Sequence, residues 1–124
     1  MSYFMHPVEA DQYVFVACEG AMSGTEAEST RQDVKALLGR RRWSRVLVDL
    51  THLQFHPTAV AVLELSENLC FDLPLETRMA LLVNADQTKC RRVVEQMARN
   101  RGVTLACFTE AGAAVDWVKA RPGK

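Results

Sequence analysis

The stretch Val46-Leu47-Val48-Asp49-Leu50-Thr51-His52-Leu53-Gln54-Phe55-His56-Pro57-Thr58 decides the fold. Val46 to Leu50 is almost continuously apolar. A strand without a polar side is buried on both faces, as strands of parallel sheets are. It ends on an acid, and Thr51 to His56 reads as a short turn carrying two histidines. Pro57 suits the first position of a helix, where its missing N–H costs nothing, with His56 or a neighbour as the cap. That helix is expected to run to about Cys70. Ala59, Val60, Ala61, Val62, Leu63 and Leu65 make its first half apolar nearly all round, and Glu64, Ser66, Glu67 and Asn68 arrive late. Such a helix is either sandwiched in the core or keeps a second apolar face for a partner or ligand.

The same strand-then-helix unit recurs downstream. Met79 to Val83 reads as a buried strand, and Asn84-Ala85-Asp86-Gln87 turns into a helix capped by Asp86. Cys90, Val93, Val94, Met97 and Ala98 fall at helical spacing on one face, and Gly102 ends the helix. Val103 to Phe108 is the last strand. Thr109 is expected to cap a final helix, where Ala111, Ala114, Val115 and Val118 share a face and Pro122-Gly123 stops it.

Upstream, Tyr3-Phe4-Met5 reads as a short edge strand, with Pro7 at a position that needs no ladder N–H. After a turn at Ala10–Gln12, Tyr13 to Cys18 is a strand rich in β-branched and aromatic residues. The pair forms an antiparallel hairpin. A helix opens on Ser23 with Glu26, or on Thr25 with Glu28, each fitting a capping box. Ala27, Thr30, Val34, Leu37 and Leu38 line its inner face, and Gly39 is the expected residue after its end. Arg40 to Arg45 is then a basic loop with Trp43 inside it. The bland reading is a solvated turn whose arginines favour the helix C-terminus. The other is a site for an anionic partner, a phospholipid surface or nucleic acid, with Trp43 as anchor. The whole reads β-β-α-β-α-β-α-β-α, one α/β domain over residues 1–124, with a mostly parallel sheet and an antiparallel strand at its N-terminal edge.

Composition narrows the function. At 124 residues the chain suffices for one domain with a core of its own. Lys plus Arg and Asp plus Glu both number 15, so the formal net charge is zero and the surface as a whole will not accumulate on a polyanion. Cys18, Cys70, Cys90 and Cys107 form no CxxC pair. The first residues lack the basic start and apolar run of a signal peptide, and no run approaches the ~20 apolar residues of a membrane span. A cytoplasmic protein with reduced, packed cysteines is expected.

Few patterns point to chemistry. There is no GxGxxG and no GxxxxGK[ST], although Gly20 and Gly24 flank a strand-to-helix turn. No GxSxG elbow is present, and Thr58 two residues from His56 does not make a nucleophile with a positioned base. His52 and His56 are four apart with Asp49 nearby, but Pro57 disfavours helix at His56 and a third ligand is lacking, so no metal and no cofactor is expected. Polar groups gather where the strands end: Glu19, Asp49, Thr51, His52, Asn84, Asp86, Thr109 and Glu110. Any α/β domain collects caps there.

Val48-Asp49-Leu50-Thr51-His52-Leu53-Gln54-Phe55 resembles the core of the STAS superfamily, the SpoIIAA-like domains of the anti-sigma-factor antagonists. Glu19-Gly20 after a strand, the helix to Leu38, and Thr109-Glu110-Ala111-Gly112-Ala113-Ala114-Val115-Asp116-Trp117-Val118 are similar too, so the likeness spans nearly the whole chain. It implies a SpoIIAA-like fold and a non-enzymatic regulatory or protein-interaction module, with a protein partner or self-association. Signalling members carry a phosphorylated serine at a helix start, and Thr58 stands at the matching position. Pro57 replaces the acid usual before it. The SpoIIAA-like branch is also similar in fold to CRAL-TRIO lipid-binding domains, which implies the alternative of a small carrier or sensor for an apolar ligand or membrane surface through the Pro57–Cys70 helix. The candidate surface is therefore Asp49, Thr51, His52, Phe55, His56, Pro57, Val60, Leu63, Asn84 and Asp86.

Overall fold

The structure, a computed structural model, describes residues 2–20, 24–53, 73, 76–85 and 91–120. Five strands and three helices are described: β1 (Ser2–Val8), β2 (Tyr13–Gly20), α1 (Gly24–Arg41), β3 (Arg45–Leu53), β4 (Arg78–Leu82), α2 (Arg91–Asn100), β5 (Thr104–Phe108) and α3 (Ala111–Lys119). The expected helix from Pro57 to about Cys70 lies outside the described residues, as do Ser23, Cys90 and Pro122-Gly123.

The strands form one sheet in the order β1-β2-β3-β4-β5. β1 and β2 are antiparallel, and every later pair is parallel. The expected α/β architecture is therefore present, with β3 in the centre. Its side chains alternate between two apolar layers. Val46, Val48 and Leu50 join Val14, Val16, Cys18, Met79 and Leu81 in the larger layer, which Val34, Leu37 and Leu38 of α1 and Val94 and Ala98 of α2 cover. Leu47 joins Tyr13 and Ala80 in the smaller layer, covered by Ala114 and Val118 of α3. Each large side chain buried in this way contributes roughly 1.5–3 kcal/mol.

α3 is short and needs more than that small layer. Its C-terminal carbonyls are held by two arginines that begin neighbouring strands and face each other across the ladder, Arg45 opposite Arg78. Arg45 Nη1 donates to the carbonyls of Lys119 at 2.8 Å and Val118 at 3.3 Å, and its Nη2 donates to that of Asp11 at 2.9 Å. Arg78 Nη2 donates to the Trp117 carbonyl at 3.1 Å while its guanidinium lies 4.1 Å from the Trp117 ring centroid. Cations at a helix C-terminus meet the negative end of its dipole and its unpaired carbonyls together. Burial, and then the neighbouring Arg45, push the Arg78 guanidinium down from its ordinary value.

Several boundaries differ from the expectation. β1 is longer than Tyr3–Met5, and Pro7 lies within it opposite Val14. Thr51 to Leu53 is strand and not turn, because β2 itself runs on to Gly20 and pairs with it. Gly39 does not end α1. The helix passes through it to Arg41, and Arg42 takes the left-handed conformation with φ 57°. The Trp43 N–H then returns to the Leu38 carbonyl at 3.1 Å, the closing bond of a Schellman turn. Arg40 and Arg41 are accordingly the last helical turn and not loop. Gly102 does end α2, at φ 80°, with Val103 N–H on the Ala98 carbonyl at 2.9 Å. Thr109 is not the cap of α3. Glu110 occupies that place, with extended backbone and no side-chain bond to the helix.

Gly39 thus sits inside a helix with no conformational need for glycine, and a Cβ there would meet nothing within 4 Å. Gly39→Ala is expected to stabilise the domain by about 0.5–1 kcal/mol, read from the urea midpoint. Arg45→Ala, which frees three carbonyls, is expected to cost about 1–3 kcal/mol and to lower hydrogen-exchange protection in α3 first.

Candidate functional site

The site is built where β3 leaves the core. Up to Asp49, β3 pairs on both sides, with Ala17 of β2 and Leu82 of β4. Beyond Asp49 only β2 remains, and there the register shifts: Ala17 faces Asp49 but Glu19 faces His52, so two steps along β2 span three along β3. Bulges of this kind bend a strand and re-aim its side chains.

The bulge has a local cause. Asp49 Oδ1 accepts the Thr51 N–H at 2.9 Å and the Thr51 hydroxyl at 2.6 Å. Aspartate commonly accepts the backbone N–H two residues on, competing with the ladder for that donor. Asp49 is 8% exposed, so these bonds also satisfy a carboxylate that burial would otherwise destabilise. Its other oxygen lies 3.7 Å from His52 Nε2, and the His52 side chain is 64% exposed. Asn84, just past β4 and exposed, donates from Nδ2 to the Thr51 carbonyl at 3.4 Å. The Val83 N–H goes the other way, to the Phe108 carbonyl at 2.8 Å, so β4 leans to β5 as it parts from β3.

Asp49, Thr51, His52 and Asn84 are therefore brought together, as expected from their places at the strand ends. Phe55, His56, Pro57, Thr58, Val60, Leu63 and Asp86 lie outside the described residues. Among the described residues no group of three His, Cys, Asp or Glu side chains is close enough to hold a metal ion. Cys18, expected as a packed and reduced cysteine, is fully buried in the larger layer. Its nearness to Asp49 follows from the pairing of Ala17 with Asp49, which residue order does not show. Burial first, and the Asp49 carboxylate second, push the Cys18 thiol up to about 12.

The chain is similar to two solved structures. One is an anti-sigma factor antagonist from Mycobacterium paratuberculosis, at 17% identity and TM-score 0.58, covering 96% of each chain. The other is an uncharacterised protein of the DUF3478 family with a SpoIIAA-like fold, from Shewanella loihica PV-4, at 17% identity and TM-score 0.59, covering 94% of this chain and 92% of that one. Comparison with family profiles finds no match, and comparison with curated proteins finds none. The fold is SpoIIAA-like, as the STAS resemblance implied. At this identity the likeness carries the fold alone. Among the described residues no helix is long and apolar enough to cross a membrane.

The thiol gives a pH signature. An unfolded Cys18 loses its proton near the ordinary 9.0, whereas the folded one keeps it to about 12. Between these values the unfolded state binds fewer protons, so stability falls as pH rises from about 9, by at most about 1.4 kcal/mol per pH unit, and is unaffected below. Tyr3, bonded to Asp33, and the desolvated Tyr13 are raised as well and add in the same direction. Cys18→Ala is expected to reduce the alkaline slope in urea melts without abolishing it.

Proposed function

We propose that the domain acts by binding a protein partner at the rim formed by Thr51, His52 and Asn84, as a regulatory module, and not by catalysis. The observation that carries this reading is the use of Asp49. A carboxylate whose Oδ1 accepts both donors of Thr51 is committed to shaping the chain, and it is largely shielded from anything arriving from solvent. A general base needs an oxygen within reach of a substrate proton; here Oδ1 is taken by Thr51, and Oδ2, beside His52, belongs to a residue only 8% exposed. The nearby thiol is protonated at any physiological pH, which leaves it a poor nucleophile.

The topology supports the same reading. Open α/β sheets make ligand crevices where successive connections run in opposite directions. Here the sheet order follows chain order from β1 to β5, so the connections never reverse. What remains at the carboxyl ends is a polar rim with an exposed imidazole and an exposed amide, a surface suited to hydrogen bonding across an interface. The structural relative described as an anti-sigma factor antagonist is, by that description, a regulator acting on a protein.

Affinity capture from the source cell, followed by titration of the recovered partner, tests the reading. His52→Ala and Asn84→Arg are each expected to weaken the partner by roughly tenfold or more, as for residues central to an interface. Arg42→Gln, at the far end of the sheet, is expected to leave binding unchanged. A partner whose affinity is indifferent to both rim variants, or turnover of a small molecule by the purified protein, would sink it.

A further inference from the structure

We propose that the opposite end of the domain, where the parallel strands begin, docks on an anionic phospholipid surface through Arg40, Arg42 and Arg99. The segments at that end lie side by side. Arg78 N–H donates to the Ser44 carbonyl at 2.7 Å, Thr104 N–H to the Thr77 carbonyl at 2.8 Å, and Glu76 N–H to the Gly102 carbonyl at 2.9 Å. The ends of α1 and α2 therefore open onto one face of the molecule.

Charge on that face is partly accounted for. Arg45 and Arg78 are committed to the carbonyls of α3. The acids of the β1–β2 turn are matched, Glu9 by Arg41 at 2.7 Å and Asp11 by Lys119 at 3.9 Å. Arg40, Arg42 and Arg99 are exposed and outside any ion pair among the described residues, with Glu76 the acid left over. Among the described residues the face carries a net positive charge, on a molecule whose formal net charge is zero.

Arg42 supplies the second observation. It holds the left-handed position that closes a Schellman turn, at φ 57°. α2 closes the same turn with Gly102 at φ 80°, the residue that adopts this backbone without strain. An arginine at the equivalent place of α1 takes a backbone that glycine adopts more readily, as Gln12 at φ 59° and Glu76 at φ 68° also do, and among the described residues it makes no ion pair in return. Of the three, Arg42 is the one whose side chain adds positive charge to this face.

The form of the face selects the partner. The guanidiniums stand on helix ends and a turn, with no exposed strand or helix among the described residues aligned to enter a duplex groove. Trp43 is not a platform for stacking bases, since it packs on the core and Arg41 lies 5.5 Å from its ring centroid. Charge alone is on offer, and a leaflet rich in acidic headgroups responds to that, with each arginine near it strengthening attachment roughly fivefold. Docked this way, the domain turns the Thr51–His52–Asn84 rim away from the membrane.

Sedimentation with phosphatidylcholine vesicles, with and without about one-third phosphatidylserine, tests the proposal. Binding is expected to the acidic vesicles only, and to fall steeply between about 50 and 200 mM salt. Arg42→Gly is expected to raise the thermal midpoint and yet weaken vesicle binding roughly fivefold, and Arg40→Gln with Arg42→Gln to weaken it about twenty-fivefold. His52→Ala is expected to bind vesicles as the wild type does, which separates this site from the rim. No binding at low salt, equal binding to neutral vesicles, or a stabilised Arg42→Gly that binds unchanged would overturn the proposal. Tighter binding to a DNA duplex, lost in the same variants, would overturn it in favour of a nucleic-acid site.

Discussion

A strand with apolar side chains on both faces has to be covered twice, and β3 is that strand. One face is well provided for, since α1 and α2 bring Val34, Leu37, Leu38, Val94 and Ala98 over it. The other face has α3, nine residues long with Ala114 and Val118 as its buried residues. Two small side chains stabilise a docked helix weakly. The arginines that begin β3 and β4 make up the difference by binding its last carbonyls, and the Trp117 ring lies against one of them. Burying a guanidinium and placing it opposite another in a ladder are both unfavourable, and burial first and Arg45 second lower Arg78. Four charge-assisted bonds to carbonyls and the aromatic face offset it. Covering β3 thus explains why both central strands start with arginine.

The same strand explains the rim. A fully buried strand must convert to a solvated chain within a residue or two, and Asp49 is where it does so. By drawing the Thr51 N–H and hydroxyl to itself, the carboxylate gives the chain a bulge while remaining satisfied at 8% exposure. Its field and the burial of Cys18 act in the same sense on the thiol, keeping it protonated. Both groups are held within the fold, and the side chains exposed beside them are His52 and Asn84.

What could be read in residue order was whatever is local or periodic. Val46 to Leu50, Met79 to Val83 and the stripe of α2 declare themselves by apolar pattern, and the order of the elements follows. The Schellman glycine at 102 was legible because φ there is positive. Gly39 misled for the same reason: glycine after an apolar helix face suggests an end, yet the turn closes three residues later on Arg42. The extension of β3 through Leu53 was hidden because Thr51 and His52 look like turn residues, and only the reach of β2 to Gly20 makes them strand. The bonds from Arg45 to Val118 and Lys119 join residues 73 and 74 apart in the chain, and no pattern in a basic loop announces them. For the site, Asp49, Thr51, His52 and Asn84 were identified by where strands end, but the division of labour among them needed distances.

The zero net charge of the chain conceals a sorted one. Some of the positive charge where the strands begin is a consequence of holding α3, and some neutralises the β1–β2 turn through Arg41 and Lys119. Arg42 belongs to neither group. It touches no acid among the described residues, supports no helix end beyond its own, and takes a backbone conformation that its neighbour in kind, Gly102, adopts with less strain. Folding alone would favour glycine there. A residue that the fold alone would replace, standing exposed beside Arg40 at the end where the parallel strands begin, is the ground on which the proposed phospholipid docking rests.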